Sequence, residues 1–168
     1  MQYPIEIVAS VFRFFIGVVT ISLVILFWGH VQRQEIMNDA VAEFCDHVRY
    51  KGVITVDMYD DFLKKVSVEP VKVTMHHRQV GADGVATVKT EKQILEKVVA
   101  GGYDLKEIKN ADGNIVPSDP NKPTIDDFYI SVSPMQDSMF YKLLSVATQS
   151  AYSKPGAISK GGMVYRHD

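Results

Sequence analysis

Cysteine is almost missing from this sequence: Cys45 stands alone among 168 residues. A single thiol excludes an internal disulfide framework and a zinc site built from paired cysteines, so an ordinary apolar core has to hold the chain. An excess of either charge is missing too. Lys and Arg number 18 against 20 Asp and Glu, a formal net charge of −2, and no basic run occurs. That balance gives no reason to expect a nucleic-acid partner or attraction to an anionic lipid surface. The short motifs of common chemistry are also missing. There is no Walker loop, no G-x-G-x-x-G, no G-x-S-x-G and no H-E-x-x-H. The expectation is a protein that is not an enzyme, with no cofactor, no metal and no identifiable small-molecule substrate.

What the sequence has in quantity is a long apolar run near its start. Phe14 to Trp28 reads FFIGVVTISLVILFW. A bilayer core ~30 Å thick needs about 20 apolar residues in a helix. Counting back to Ile5 gives 24 residues, at the cost of including Glu6 and Arg13. Glu6 lies near the end of that span and can reach the interface. Arg13 lies deeper and must snorkel or face a partner, unless it marks the inner boundary of a short anchor running from Phe14 to Trp28. A cleavable signal peptide would end at a small-x-small site. The run ends instead in Phe27, Trp28, Gly29, His30 and Val31, and Trp28 suits a membrane interface. The expectation is an anchor, residues 1–29, that stays on the chain. A head of residues 30–168 would follow it, with the short N-terminus inside and the head outside the cell.

The rest of the chain predicts an α+β head. After Gly29 no Gly or Pro occurs until Gly52, and Met37, Val41, Phe44, Cys45 and Val48 recur at helical spacing. One helix is therefore expected from about residue 5 to 50, transmembrane at first and then amphipathic. Residues 53–66, VITVDMYDDFLKKV, predict a short helix capped by Thr55 or Asp57, with Tyr59, Phe62 and Leu63 as its apolar face. Residues 71–80 alternate as a half-buried strand, residues 81–84 form a turn, and residues 85–89 return. The run TEKQ at 90–93 fits a capping box, and its helix should end at Gly101 and Gly102. Residues 108–123 carry three prolines and read as an exposed excursion. Residues 127–133 alternate as a strand, 139–147 read as a helix, and 163–165 could add an edge strand. The fold expected is a long N-terminal helix on a small, mainly antiparallel sheet with short helices.

Candidate chemical residues are few. His76 and His77 are adjacent, so in a strand they face opposite ways and read as surface histidines. Cys45, Asp46 and His47 point some 100° apart in turn on a helix and make no dyad. Cys45 reads as a packing residue, with an intermolecular disulfide left open in an oxidising setting. Asp57, Asp60 and Asp61 suit a helix N-terminus. Asp126 and Asp127 read as turn residues.

A long N-terminal helix, apolar and then amphipathic, followed by a compact α+β head resembles the type IV pilin-like proteins. The closer likeness is to TadE-like pseudopilins, in which a post-membrane helix leads into a G-V-I-T segment followed by Tyr and Phe. Here those residues are Gly52, Val53, Ile54, Thr55, Tyr59 and Phe62, and the resemblance covers roughly residues 5–66. Type IV pilins carry a glutamate at the fifth mature position, and Glu6 is fifth counting from Gln2. The family's basic leader ending in Gly is not seen ahead of Gln2, and Arg13 stands inside the apolar segment. The resemblance implies a structural component of a bacterial envelope, pilus, secretion or conjugation assembly. Its partners would be membrane lipid and other pilin-like subunits or further copies of itself. The assembly residues expected are Glu6, Arg13, Phe44 and Cys45. The alternative is a monomeric membrane-tethered binding or sensing domain.

Overall fold

A computed structural model describes residues 3–67, 70–80, 85–106, 125–135, 142–143, 145–146 and 156–165. The first helix, α1, runs Tyr3–Lys51, close to the 5–50 expected. The chain folds as two compact units. Residues 1–35 group with 137–154, and residues 36–136 group with 155–168. Within α1 the division falls between residues 35 and 36, just before Met37, the first α1 residue that belongs to the head's core.

The first unit contains the apolar half of α1. Most of its large side chains, among them Ile7, Val11, Phe14, Phe15, Ile25 and Trp28, are exposed, while Leu23 and Leu26 are half-buried and His30 is buried. Two hydroxyls in this stretch turn back onto the backbone. Thr20 Oγ1 donates to the Ile16 carbonyl at 2.8 Å and Ser22 Oγ donates to the Val18 carbonyl at 2.9 Å. Each finds its partner within the helix, as an apolar surrounding demands. Among the described residues, this is the one helix long and apolar enough to cross a membrane. Of the helix expected at 139–147, Lys142, Leu143, Ser145 and Val146 are helical and the others lie outside the described residues.

The second unit is built on the amphipathic end of α1. Met37, Ala40, Val41, Phe44, Cys45 and Val48 follow the i, i+3, i+4 rhythm and are all buried. Gly52 ends the helix. Its φ of 71° is left-handed and its N–H donates to the Val48 carbonyl at 2.8 Å. That conformation suits glycine, and an added Cβ would run into the Lys106 side chain. A two-residue strand β1, Val53–Ile54, follows. Helix α2, Val56–Val66, starts where Thr55 Oγ1 accepts a hydrogen bond from the Met58 N–H at 3.3 Å. The Thr55 alternative for the cap is the one realised.

The main sheet has four strands: β2 Val71–Val80, β3 Ala86–Thr90, β5 Ile125–Pro134 and β6 Ile158–Met163. Their order is β3-β2-β5-β6, with every pairing antiparallel. Register sets Val73 opposite Val132, Met75 opposite Ile130 and His77 opposite Phe128. These residues share the inner face and join the α1 stripe in one core. Phe44 lies at its centre, stacked on Phe62 at 4.5 Å between ring centroids and 6.4 Å from the Phe128 ring. Helix α3, Glu91–Val99, begins at the expected box, where the Gln93 side chain accepts from the Thr90 N–H at 3.1 Å. It buries Ile94 and Val98. Strand β4, Tyr103–Asp104, then pairs with β1, a two-stranded ribbon that the sequence reading missed.

Three expectations need correcting. The edge strand is Ile158–Met163, not 163–165. Val164 and Tyr165 lie beyond it and donate backbone hydrogen bonds to the Asp126 and Arg49 carbonyls at 2.8 and 2.9 Å. Asp126 and Asp127 are not turn residues but lie inside β5, and Asp126 is buried. His77 is not a surface histidine; His76 is exposed as expected. The turn at 81–84 and the excursion at 108–123 fall outside the described residues.

Candidate functional site

Glu6 and Arg13 are the charged residues of the apolar half of α1. Both are exposed, and seven residues of helix place them on one face, ~10 Å apart along the axis. That separation is too long for a direct ion pair within one helix. Phe44 and Cys45, named beside them as assembly residues, have a different place. Both are buried in the head and bind its elements together. Burial pushes the Cys45 thiol up to about 11, Asp46 adds to that, and Arg49 and Lys160 oppose it. A protonated, enclosed thiol is neither a ready nucleophile nor placed for a disulfide with a neighbour. The reason is helical phase: Cys45 follows Val41 by one turn on the inward stripe.

Between the outer half of α1 and α2 lies an open groove of about 440 Å³. Phe44, Met58 and Phe62 line its apolar part, and Lys51, Lys64 and Lys65 stand at its rim. Two rim lysines are paired. Lys65 bonds Glu43, and Lys64 Nζ lies 3.1 Å from Asp61 Oδ1. The Lys65 contact is the main cause that lowers the Glu43 pKa. On the other side of α2, burial raises the Tyr59 phenol, with Glu91 and Asp60 adding to it.

The third place is a buried polar cluster. His77 on β2 and Asp126 on β5 keep only 2% and 3% of their surface. His77 Nε2 faces Asp126 Oδ1 at 4.0 Å, and Nδ1 is hydrogen-bonded to the Tyr103 hydroxyl at 2.7 Å. A carboxylate facing Nε2 favours the proton there, leaving Nδ1 to accept from the phenol. The Tyr103 ring meets the imidazole edge to face, and Lys97 Nζ lies 5.4 Å from its centroid. The cluster fastens β4 and the end of α3 to the sheet. The signal for it was present: His77 falls in phase with Val71, Val73 and Met75, the apolar side of β2. Its polarity argued for the surface and its phase for the core, and phase prevailed.

Among the described residues, no group of three or more His, Cys, Asp and Glu side chains is arranged to hold a metal ion. Compared with known proteins, the chain matches no family model, no curated protein and no solved structure.

Proposed function

We propose that this chain is a membrane-anchored, pseudopilin-like structural subunit of a bacterial envelope assembly such as a pilus or a secretion or conjugation apparatus. One observation carries the reading: the change of character along α1. Its first half leaves most of its apolar side chains exposed, and its second half buries one stripe in an α+β head. A helix apolar all round needs lipid or other helices about it, whereas a one-stripe helix needs only its own domain. The head would lie outside the cell, the anchor would be retained, and lateral packing would recruit the subunit. The His77–Asp126–Tyr103 cluster suits a fastening, not a reaction centre, because substrate has no access to groups so deeply buried.

In this reading Glu6 and Arg13 meet between neighbouring copies. Arginine at the centre of a membrane helix costs roughly 2.5–3.5 kcal/mol on insertion scales, less near the interface. A neighbour shifted along the helix by seven residues sets its Glu6 beside Arg13 and offsets that cost. In membrane-extracted protein, mass spectrometry is expected to find residues 5–28 intact, and cross-linking is expected to join copies through residues 5–50. Arg13→Leu should keep membrane insertion but weaken self-association, and the charge swap Glu6→Arg with Arg13→Glu should restore part of it. Arg13→Leu protein that cross-links as well as the parent would remove the pairing. A chain that stays monomeric in membranes would remove the assembly reading. The groove between α1 and α2 would then favour the alternative, a tethered binding or sensing domain that works alone.

A further inference from the structure

We infer that the groove between α1 and α2 receives the outer face of α3 from a second copy of this chain. The inference rests on the assembly reading above and names a head-to-head contact for it. Helix α3 turns Ile94 and Val98 into its own core. Leu95 beside them is half-buried against the same core, and Val99, one turn on, is 80% exposed. Glu91 and Glu96 flank these two apolar residues on the same open face, with Lys92 as its one cation. The groove is the converse: an apolar floor of Phe44, Met58 and Phe62 beneath Lys51, Lys64 and Lys65, with Glu43 and Asp61 as its acids. Two glutamates against one lysine meet three lysines against two acids, so the faces carry opposite net charge. An amphipathic helix laid in a groove is a recurring mode of recognition, read by anchors four residues apart, as Leu95 and Val99 are.

The rim supports exchange of partners. Lys64 pairs with Asp61 on largely exposed side chains, and Lys65 and Glu43 are each about half exposed. Surface pairs of this kind hold weakly and can be traded for a neighbour's carboxylates. Each copy offers one groove and one α3 face, and they lie at different places on the head. Such a contact is heterologous, and unless the rotation between copies closes a ring it continues as an open row. That is the geometry an envelope assembly needs.

The test uses the full chain in membranes with His47→Cys in the groove and Val99→Cys on α3. Oxidation is expected to give a ladder of cross-linked multimers, with the parent chain, carrying Cys45 alone, as background. In that cysteine pair, Glu91→Lys with Glu96→Lys should reduce the ladder at least tenfold, as should Lys64→Glu with Lys65→Glu in a separate chain. Mixing the two reversed chains should restore it, since each then offers what the other's partner face needs. A ladder unaffected by either reversal overturns the inference, as does a mixture of folded variants that stays unlinked. If a reversed chain fails to fold, the cysteine pair with native charges decides: no multimers means no such contact. A cysteine at Ser10 in the anchor separates the two readings. Multimers there without the head ladder sink this contact alone, and multimers at neither site sink the assembly reading with it.

Discussion

Phe14 and Phe44 are the same residue on the same helix, yet Phe14 is 75% exposed and Phe44 only 5%. Around Phe14 the apolar side chains keep to no single stripe: Val11, Phe12, Phe15 and Val18 point in different directions and are all exposed, with Ser10 and Arg13 among them. Around Phe44 the apolar residues keep to one stripe, with Glu43, Asp46 and His47 turned outward. Hydrophobicity alone therefore does not say where a side chain ends up. The pattern around it decides whether a protein core can cover it. A stripe can be covered by one sheet; a full cylinder needs a surrounding medium or a ring of neighbours. The two halves of α1 thus satisfy the same hydrophobic effect by different means, one inside the head and one outside the chain.

The sharpest way to break this comparison is to truncate both rings. Phe44→Ala should cost the head ~3–5 kcal/mol, because it removes a ring packed against Phe62 and Phe128 and leaves a cavity. Phe14→Ala should leave head unfolding within about 0.5 kcal/mol of the parent. Urea unfolding followed by near-ultraviolet circular dichroism reads both. A Phe44→Ala cost below about 1 kcal/mol would show that the stripe is not covered as described.

A smaller contrast comes from glycine. Gly52→Ala forces a side chain into a left-handed position and against Lys106, and should cost ~1–2 kcal/mol or more. Gly17 sits mid-helix, with nothing within 4 Å of an added Cβ. Gly17→Ala should leave the helix intact or firmer, since alanine is favoured there by up to ~1 kcal/mol. Thermal melts and helical content measured side by side would expose any failure of this sign difference.

The smallest expected effect is a pH dependence confined to the head. An unfolded Cys45 would begin to lose its proton near the ordinary 9.0, whereas the folded thiol holds it to about 11. The contribution is complete below 9 and is lost as pH climbs from 9 to 11, on the order of 1 kcal/mol with solvent screening allowed for. Tyr59, also raised, pulls the same way at the upper end. Head stability measured from pH 8 to 11 should therefore fall less steeply in Cys45→Ala, and less steeply again with Tyr59→Phe added. Equal slopes in all three chains would mean that the thiol is open to water in the folded head.

Much of this architecture was legible in the residues. The stripe from Met37 to Val48, Thr55 as a cap, the strand at 71–80 and the capping box at 90–93 are local patterns, and the structure keeps each of them. What was missed depends on distant partners. Strands β1 and β4 are two residues each, too short to show a period, and exist because Val53 and Ile54 find Asp104 and Tyr103 across some fifty residues. Strand β6, with Gly161 and Gly162 in it, reads as tail until β5 supplies its ladder. The lysines of the groove carry no signal in the sequence, because only the packing of α2 beside α1 makes a concave surface of them.

The sequence by itself determined the length and twofold character of α1, since apolar phase and the absence of breakers are properties of neighbouring residues. It also determined where the head's short helices begin, since caps act within one turn. Only the tertiary structure decided that His77 and Asp126 go inside. It also decided which side of α3 stays open. The physical reason is that a side chain's phase says which way it faces, whereas its burial depends on what another part of the chain brings against that face.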